Sequence, residues 1–207
     1  LGRYYKLPAY TILGFRENKD LVNQQTAYIR SDHYVAGLEW LPSSSLRVTA
    51  EGFLKKYSNY PVSVDKGISL ANLGGDFGVF GNERINSNGK GEAYGFELLI
   101  QKRLTKHFYG IMAYTYYYSQ FSGANGVMLP SAWDNRHLFS FTGGYKFAKN
   151  WEVGIRFRAQ GGAPYSPWDD YLSKENYPFT SEPVLDYPNL NTLRLQAFHA
   201  MDLRVDK

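Results

Sequence analysis

Seven stretches of the chain alternate between polar and apolar residues, and the connections between them are alternately short and long. The alternating stretches cover residues 27–41, 45–57, 92–104, 108–121, 137–148, 151–161 and 197–206. Their connections are tight at 42–44, 105–107 and 149–150, and long at 58–91, 122–136 and 162–196. Membrane β-barrels sort their connections in this way, because short turns gather at one end of the wall and longer loops at the other. The pattern therefore predicts an all-β fold, an antiparallel meander that forms part of a large transmembrane β-barrel.

Six of the seven stretches separate into an apolar and a polar face, because successive side chains of a strand point to opposite sides. We expect the apolar sets to contact lipid. We expect the charged sets to face the barrel interior, and their members are Glu39, Arg47, Glu51, Glu97, Arg103, Arg156, Arg158, Asp202 and Arg204. The stretch 108–121 carries tyrosines on both faces, so its orientation stays open at this point.

The interior charges allow two interpretations. They line a path for a transported molecule, or opposite charges on neighbouring strands pair with one another and stabilise the wall modestly. We favour pairing for most of them.

Two further features favour lipid over a soluble sheet. The stretches exceed the roughly 5 to 6 residues of a typical soluble strand, and they reach the roughly 9 to 11 residues that a tilted transmembrane strand needs. Aromatic residues also lie at the ends that join the tight turns, where barrels place an interfacial girdle. These residues are Trp40, Phe108, Phe147 and Trp151.

Composition excludes several other classes of protein. The chain has 17% aromatic residues and a mean hydropathy of −0.43, and it has no apolar run long enough for a transmembrane helix. The net charge of +4 comes without a basic run, which argues against nucleic-acid binding. The absence of cysteine excludes disulfides and thiolate metal sites. Seven strands with two free edges cannot span a bilayer, so we expect a larger barrel with residues 1–26 as a loop.

Several short motifs in a fixed order resemble those of one known family. They are Gly2-Arg3-Tyr4-Tyr5 with Pro8, Glu17-Asn18-Lys19-Asp20-Leu21, residues 31–39, Ala93-Tyr94-Gly95-Phe96-Glu97, Trp133-Asp134-Asn135-Arg136-His137 and Asp202-Leu203-Arg204-Val205-Asp206-Lys207. With them the chain resembles the C-terminal part of the barrel of TonB-dependent outer-membrane receptors, of the kind abundant in Bacteroidetes. The resemblance covers nearly the whole chain, although each motif alone is weakly specific.

The resemblance implies an architecture and a set of partners. In that family a barrel of 22 strands surrounds a plug domain, and an inner-membrane motor acts through TonB on a short N-terminal box to drive ligand uptake. We therefore expect residues 1–207 to form a partial barrel domain, with the plug and box upstream of Leu1 and two strands after Lys207. Further expected partners are outer-membrane lipid and a surface lipoprotein, and some interior charges are expected to dock the plug.

No motif points to catalysis, to a metal site or to a cofactor. The four histidines, at 33, 107, 137 and 199, do not cluster in sequence, and hydrogen-bonded or interfacial roles explain them better than metal ligation. Asp76-Phe77-Gly78 and the glycines around it lack the strand-then-helix context of a phosphate-binding loop. We find no nucleophile elbow, although a serine-dependent barrel hydrolase needs no local signature.

Aromatic residues in the long connections are the best candidates for ligand contact, because rigid amphipathic rings are enriched in recognition surfaces. They are Trp133, Tyr165, Trp168, Tyr171, Tyr177 and Tyr187. Packing of the loop onto itself is an equally good explanation of these rings. Asp134 and Arg136 are expected to brace the base of a loop.

The sequence thus predicts part of an outer-membrane active transporter whose ligand it does not identify. The alternative from another class is a structural or adhesive outer-membrane barrel without transport.

Overall fold

The computed structural model describes residues 1–74 and 81–207. The strands are β1 (Gly2–Lys6), β2 (Arg16–Glu17), β3 (Asp20–Leu21), β4 (Ile29–Ser43), β5 (Leu46–Ser63), β6 (Ile85–Lys102), β7 (Phe108–Ser122), β8 (Met128–Pro130), β9 (His137–Lys146), β10 (Glu152–Gln160), β11 (Pro164–Tyr165), β12 (Leu193–Arg194) and β13 (Phe198–Asp206). The helices are α1 (Tyr10–Leu13), α2 (Asp170–Thr180) and three short 3₁₀ segments, Leu70–Asn72, Ala148–Asn150 and Tyr187–Asn189. Neither α-helix is long and apolar enough to cross a membrane. The Asp76-Phe77-Gly78 triplet lies outside the described residues.

One antiparallel sheet forms the wall, in the order β1, β4, β5, β6, β7, β9, β10, β13. The short strand β8 pairs with the last three residues of β7. Consecutive long strands are neighbours throughout, so the predicted meander is confirmed. Within the described residues β1 and β13 do not pair with each other, and the barrel is therefore not closed.

The structure corrects three details of the predicted wall. The segment 1–26 is not all loop, because β1 lies within it and pairs with β4. This strand is the eighth in the continuous order of the sheet. The strands β5 and β6 continue six to seven residues beyond the predicted ends at 57 and 92, into the long connection. The first turn is tighter than predicted: Ser43 pairs with Leu46, and Pro42 lies within β4 where the register shifts. A proline is tolerated there because a bulge needs no ladder donor at that position.

The register settles the orientation of the strand at 108–121. Tyr94 lies opposite Tyr118, Phe96 opposite Tyr116 and Leu98 opposite Tyr114, and directly opposed residues point to the same side of a sheet. The even-numbered residues of β7 therefore share the face of Phe96 and Leu98. Its odd-numbered residues lie on the other side, where Thr115 is opposite Glu97.

The same pairings carry one apolar surface across the wall, which we call the apolar face. Its members include Tyr34, Leu38, Trp40, Val48, Ala50, Phe96, Leu98, Tyr114, Phe141, Phe157, Ile155, Met201 and Leu203. Many of them are exposed, with Leu38 81% and Leu203 66% exposed. An apolar surface of this extent is typical of a membrane-facing wall. The four predicted girdle residues are exposed as well.

The opposite side, here called the charged face, carries eight of the nine residues that were predicted to face the interior, and the ninth, Arg103, lies just after the last residue of β6. Glu51 is opposite Glu97, Arg156 is opposite Asp202, and Gly154 is opposite Arg204. That the charged face lines the barrel interior stays a prediction.

Candidate functional site

Two buried asparagines join the three long connections at the end of the wall away from the tight turns. Asn191 Nδ2 donates to the carbonyl oxygens of Asn72 (2.7 Å) and Pro130 (3.0 Å). Asn72 Nδ2 donates to the Pro130 and Leu129 carbonyls, at 2.8 and 3.0 Å. Each asparagine is 3% exposed, so these bonds satisfy amides that water does not reach. We call Asn72 and Asn191 the asparagine junction, because it holds the connections 58–91, 122–136 and 162–196 together.

A buried carboxylate makes a second connection. Asp134 is fully buried, and its Oδ2 lies 2.9 Å from both Arg194 Nη2 and Arg136 Nε. Its Oδ1 accepts a hydrogen bond of 3.1 Å from the Ser119 amide. The Arg136 guanidinium also lies over the Tyr118 ring, 3.7 Å from its centroid. A buried charge is stable only when it is paired and hydrogen-bonded, and here the pairing ties Arg194 of β12 to the end of β7. These contacts agree with the predicted bracing role.

The N-terminal segment is attached to the same end of the wall. Asn23 Nδ2 donates to the Ile12 carbonyl (3.0 Å) and the Glu83 carbonyl (2.8 Å), and Asn23 Oδ1 accepts from the Ile85 amide (3.1 Å). Asn23 is 3% exposed. Because Ile85 begins β6, these bonds fix the segment that carries α1 against the wall.

A cleft of about 490 Å³ lies between this segment and the loop ends of the wall. Its floor is buried and apolar, formed by Pro8, Ile12, Pro61 and Leu70. Its rim is exposed and includes Lys6, Tyr10 and Trp133, of which the last two are 83% and 56% exposed. Its volume lies within the range of typical ligand sites, and most of its lining residues are apolar.

The cleft opens on the charged face. Lys6 is opposite Ile29 in the sheet. Ile29 and Ser31 are two residues apart in β4 and therefore point to the same side, and Ser31 is opposite Tyr57. The rings of Tyr57 and Tyr60 pack on Phe121, with centroids 5.2 and 4.6 Å apart. Phe121 lies on the odd-numbered side of β7, the side of Thr115. The Tyr60 wall of the cleft is therefore held by an aromatic cluster on the charged face.

Gly91 explains why Phe121 fits at this position. A Cβ on Gly91 would collide with the Phe121 ring, which lies directly opposite in the sheet. The glycine thus permits the close approach that places the aromatic cluster beneath the cleft.

The six predicted aromatic residues do not form one cluster. Trp133 lines the large cleft, whereas Tyr165 and Trp168 line a separate cavity of about 170 Å³ beside the asparagine junction. Tyr171 and Tyr177 lie on α2, which buries none of its residues. A hydrogen bond to Glu175 raises the pKa of Tyr171. Tyr187 lies in a 3₁₀ segment and is half-buried.

The predicted charges pair only in part. Arg47 Nη2 lies 2.5 Å from Glu39 Oε2, and Arg204 Nε lies 2.5 Å from Asp206 Oδ2. Within the described part of the chain, the remaining members have no ion pair within 4.0 Å, and they are Glu51, Glu97, Arg103, Arg156, Arg158 and Asp202. Arg156 faces Asp202 across the ladder without forming a close pair. Ladder pairing therefore accounts for a minority of these charges in this structure.

Sequence reasoning missed Asn23, Asn72 and Asn191, and also Lys6, Tyr10 and Tyr60 of the cleft. The asparagines stand in polar loops where nothing local separates them from solvated ones, and Asn191 contacts a residue 119 positions away. Lys6 could have been identified only by recognising that Gly2–Lys6 form a strand that pairs with β4. Among residues 1–74 and 81–207, no three His, Cys, Asp or Glu side chains are placed to hold a metal ion.

Comparison with protein families gives a match along residues 1–206, to the family model described as TonB dependent receptor-like, beta-barrel. The comparison with curated proteins gave no match.

Solved structures with a similar fold include two receptors and one transporter. The ferric-catecholate import receptor Fiu of E. coli K12 is 14% identical, with a TM-score of 0.59 over 91% of this chain and 22% of that one. The FrpB iron transporter of Neisseria meningitidis is 14% identical, with a TM-score of 0.56 over 86% of this chain and 24% of that one. The pyoverdine receptor FpvA of Pseudomonas aeruginosa is 16% identical, with a TM-score of 0.61 over 97% and 26%. At these identities the likeness concerns the fold, and the chain spans about a quarter of their length.

Proposed function

The chain belongs to the TonB-dependent receptor β-barrel family, whose barrels are outer-membrane proteins of Gram-negative bacteria, and we propose that it forms part of an active importer. The family comprises receptors and transporters, so the proposal includes no enzymatic reaction. The observation that carries it is the match over residues 1–206, joined to a wall with one apolar and one charged face. The similar folds include an import receptor for ferric catecholates and a receptor bound to pyoverdine, and neither ligand is assigned to this chain.

The parts of the chain have separate roles in this proposal. The apolar face contacts outer-membrane lipid, and the charged face lines the interior. Glu51, Glu97, Arg156 and Arg158 contact the plug domain or a passing ligand in this proposal, which their lack of an ion pair in the described part of the chain supports. The asparagine junction and Asp134 give the long connections a fixed arrangement at the end of the barrel away from the tight turns, which is the outer opening in this proposal. A fixed arrangement lowers the entropy cost of binding there.

The partners follow from the same proposal. In this proposal the complete receptor also contains a plug domain, a TonB box and further barrel strands beside β1 and β13. Import then depends on TonB and its inner-membrane motor. A surface lipoprotein is a further candidate partner, and the exposed helix α2 is where the chain offers it apolar side chains.

Depletion of compounds from the medium tests import directly. Cells with and without the receptor gene are grown in a complex medium, each with an active or an inactivated motor, and mass spectrometry follows the compounds that disappear. We expect at least one compound whose loss from the medium requires both the receptor and the active motor. Depletion that ignores the motor, or no receptor-dependent depletion at equal surface expression, contradicts active import.

One observation favours the adhesive alternative. Tyr171, Leu172 and Phe179 are exposed and lie within about 100° around the axis of helix α2 at 3.6 residues per turn, and Phe179 is 88% exposed. An exposed apolar cluster of this kind marks an interaction surface. If adhesion is the role, cells whose receptor lacks 170–180 lose attachment to a surface while uptake is absent from the start.

A further inference from the structure

The shape of the large cleft is suited to a small molecule. Its volume of about 490 Å³ lies within the roughly 300 to 1,000 Å³ of typical ligand sites. Pro61 and Leu70 in the floor are at most 2% exposed, and Ile12 is 3% exposed, so the floor is fixed by packing. The rim residues Tyr10 and Trp133 stand largely free above it. A buried apolar floor beneath exposed rings favours a ligand whose body is apolar and flat.

The charge around the cleft selects the sign of that ligand. Of the described residues that line it, Lys6 alone carries a formal charge, and no carboxylate is among them. Lys6 forms no ion pair within 4.0 Å in the described part of the chain, whereas nearby Arg3 is paired with Asp32 at 2.5 Å. A lysine stem can lie along apolar side chains while its ammonium stays available to an anion. Among the described lining residues a cation would meet aromatic rings but no carboxylate, an anion would meet the Lys6 ammonium, and a neutral sugar would find few polar groups to replace its hydration.

The position of Lys6 is set by the sheet. It is the last residue of β1 and lies opposite Ile29, which also lines the cleft. Trp133 reaches the other side of the cleft from the connection before β9, where its carbonyl oxygen accepts a hydrogen bond of 2.5 Å from the Tyr117 hydroxyl. The ammonium and the indole therefore come from two separate, anchored parts of the wall.

We propose that this cleft is a binding site for a small apolar or aromatic organic anion, with Lys6 opposite the carboxylate or sulfonate and Trp133 and Tyr60 against the apolar body. The site opens on the charged face at the outer opening. This site gives the proposed import function a ligand class, and in that respect the inference rests on the proposed function.

Binding of two matched probes tests the site without any transport. The full-length receptor in lipid nanodiscs is titrated with 1-naphthoate and with its uncharged counterpart 1-naphthamide, by calorimetry. We expect saturable naphthoate binding that is tighter than naphthamide binding. Lys6→Gln should weaken naphthoate about threefold to fivefold, the range of an exposed ion pair, and leave naphthamide unchanged. Trp133→Ala should weaken both probes about tenfold, because the indole supplies contact area to either.

Three controls separate charge from misfolding. Lys6→Arg keeps the charge and should retain most of the naphthoate affinity, while Lys174→Gln on exposed α2 removes a lysine outside the cleft and should change nothing. Trp133→Ala keeps the carbonyl that Tyr117 contacts, and heat-modifiable migration on gels checks that each variant is folded. Equal affinity for the two probes, no saturable naphthoate binding, or unchanged affinity in Lys6→Gln overturns the site.

The outcome is independent of import. If motor-dependent depletion fails while naphthoate binds through Lys6, the import proposal is wrong and the site stands. If depletion succeeds while the naphthoate test fails, import stands and the site is wrong.

Discussion

At the scale of single residues, the loop end depends on buried polar groups that come from distant parts of the chain. Asp134 is fully buried, yet its two arginine partners are 29% and 26% exposed. Arg194 can therefore regain water if the carboxylate is lost, whereas Arg136 Nε is buried and has no hydrogen-bond partner in the described part of the chain. The asparagine junction has no such reserve, because both of its amides are buried.

Asp134→Asn should loosen the loop end without unfolding the wall. The change removes the charge of the carboxylate from a hydrogen bond with Arg194 Nη2, a type of bond that contributes on the order of 1.5 to 3 kcal/mol, and from the ion pair with Arg136. Because the arginines are partly exposed, we expect a net loss of about 2 kcal/mol in local stability. Limited trypsin digestion of the folded receptor should then cut within 122–136 or 162–196 faster than in the wild type.

Asp65→Asn is the matched control, because Asp65 is exposed and has no ion pair in the described part of the chain. An Asp134→Asn variant that resists trypsin as well as Asp65→Asn does would show that the cluster does not brace the loops.

At the scale of elements, the strands place each residue type on a definite face through their register. Leu98 lies between Ala50 and Tyr114 on the apolar face, and Thr115 lies opposite Glu97 on the charged face. The two positions are at similar depth in neighbouring strands, so they form a matched pair for testing which face meets lipid.

Leu98→Arg should impair assembly far more than Thr115→Arg. A charge that faces the middle of the bilayer costs roughly 2 to 4 kcal/mol, whereas an interior arginine at 115 would lie beside the Glu97 carboxylate. The measurement is the fraction of full-length receptor that reaches the heat-modifiable form in lipid vesicles. Equal yields for the two variants would mean that the faces are assigned wrongly.

The connection 162–196 gives a second test at this scale, because the structure separates its aromatic residues. We propose that Tyr165 and Trp168, which share a cavity, contribute to ligand binding more than Tyr171 and Tyr177 on α2. The double variant Tyr165→Ala with Trp168→Ala should weaken binding of a compound found by depletion by more than about 1 kcal/mol. Tyr171→Ala with Tyr177→Ala should have a smaller effect, and equal effects at equal surface expression would favour loop packing for all four.

At the scale of the whole molecule, the apolar face has the height of a bilayer. Phe108 near the tight turns and Tyr118 near the long connections lie on the same face, ten residues apart. At roughly 3.3 Å per residue and a strand tilt of about 40°, this interval spans about 25 Å, the usual height of the apolar band of outer-membrane barrels. The tyrosines at the upper limit and the aromatic girdle at the lower limit thus mark the two interfaces.

Residues 1–207 expressed alone should not insert as a stable transmembrane structure. The outer edges of β1 and β13 have no partner strand in the described part of the chain, and unpaired backbone groups in hydrocarbon cost several kcal/mol each. Refolding into lipid vesicles should give no heat-modifiable band, while the full-length receptor gives one. A stable, protease-resistant band from the segment alone would show that its edges close by themselves or by self-association.

The sequence by itself determined the meander and the composition of its faces. Alternation such as that of Phe96, Glu97 and Leu98 is local, and the difference between tight and long connections is visible by counting. Both features follow from the period of two along a strand, so they need no knowledge of which residues meet in space.

Only the tertiary structure decided the features that depend on pairing between distant segments. The strand β1 is short and has tyrosines at two consecutive positions, Tyr4 and Tyr5, so its sequence does not show which side faces which way. Its place in the wall became visible only from its pairing with β4. The tyrosines of β7 lie on both faces, and the register with β6 assigned them. The junction of Asn72 and Asn191, like the meeting of Lys6 with Trp133 across the cleft, joins residues more than a hundred positions apart. Such contacts leave no periodic pattern, because the chain brings them together only when the whole sheet has formed.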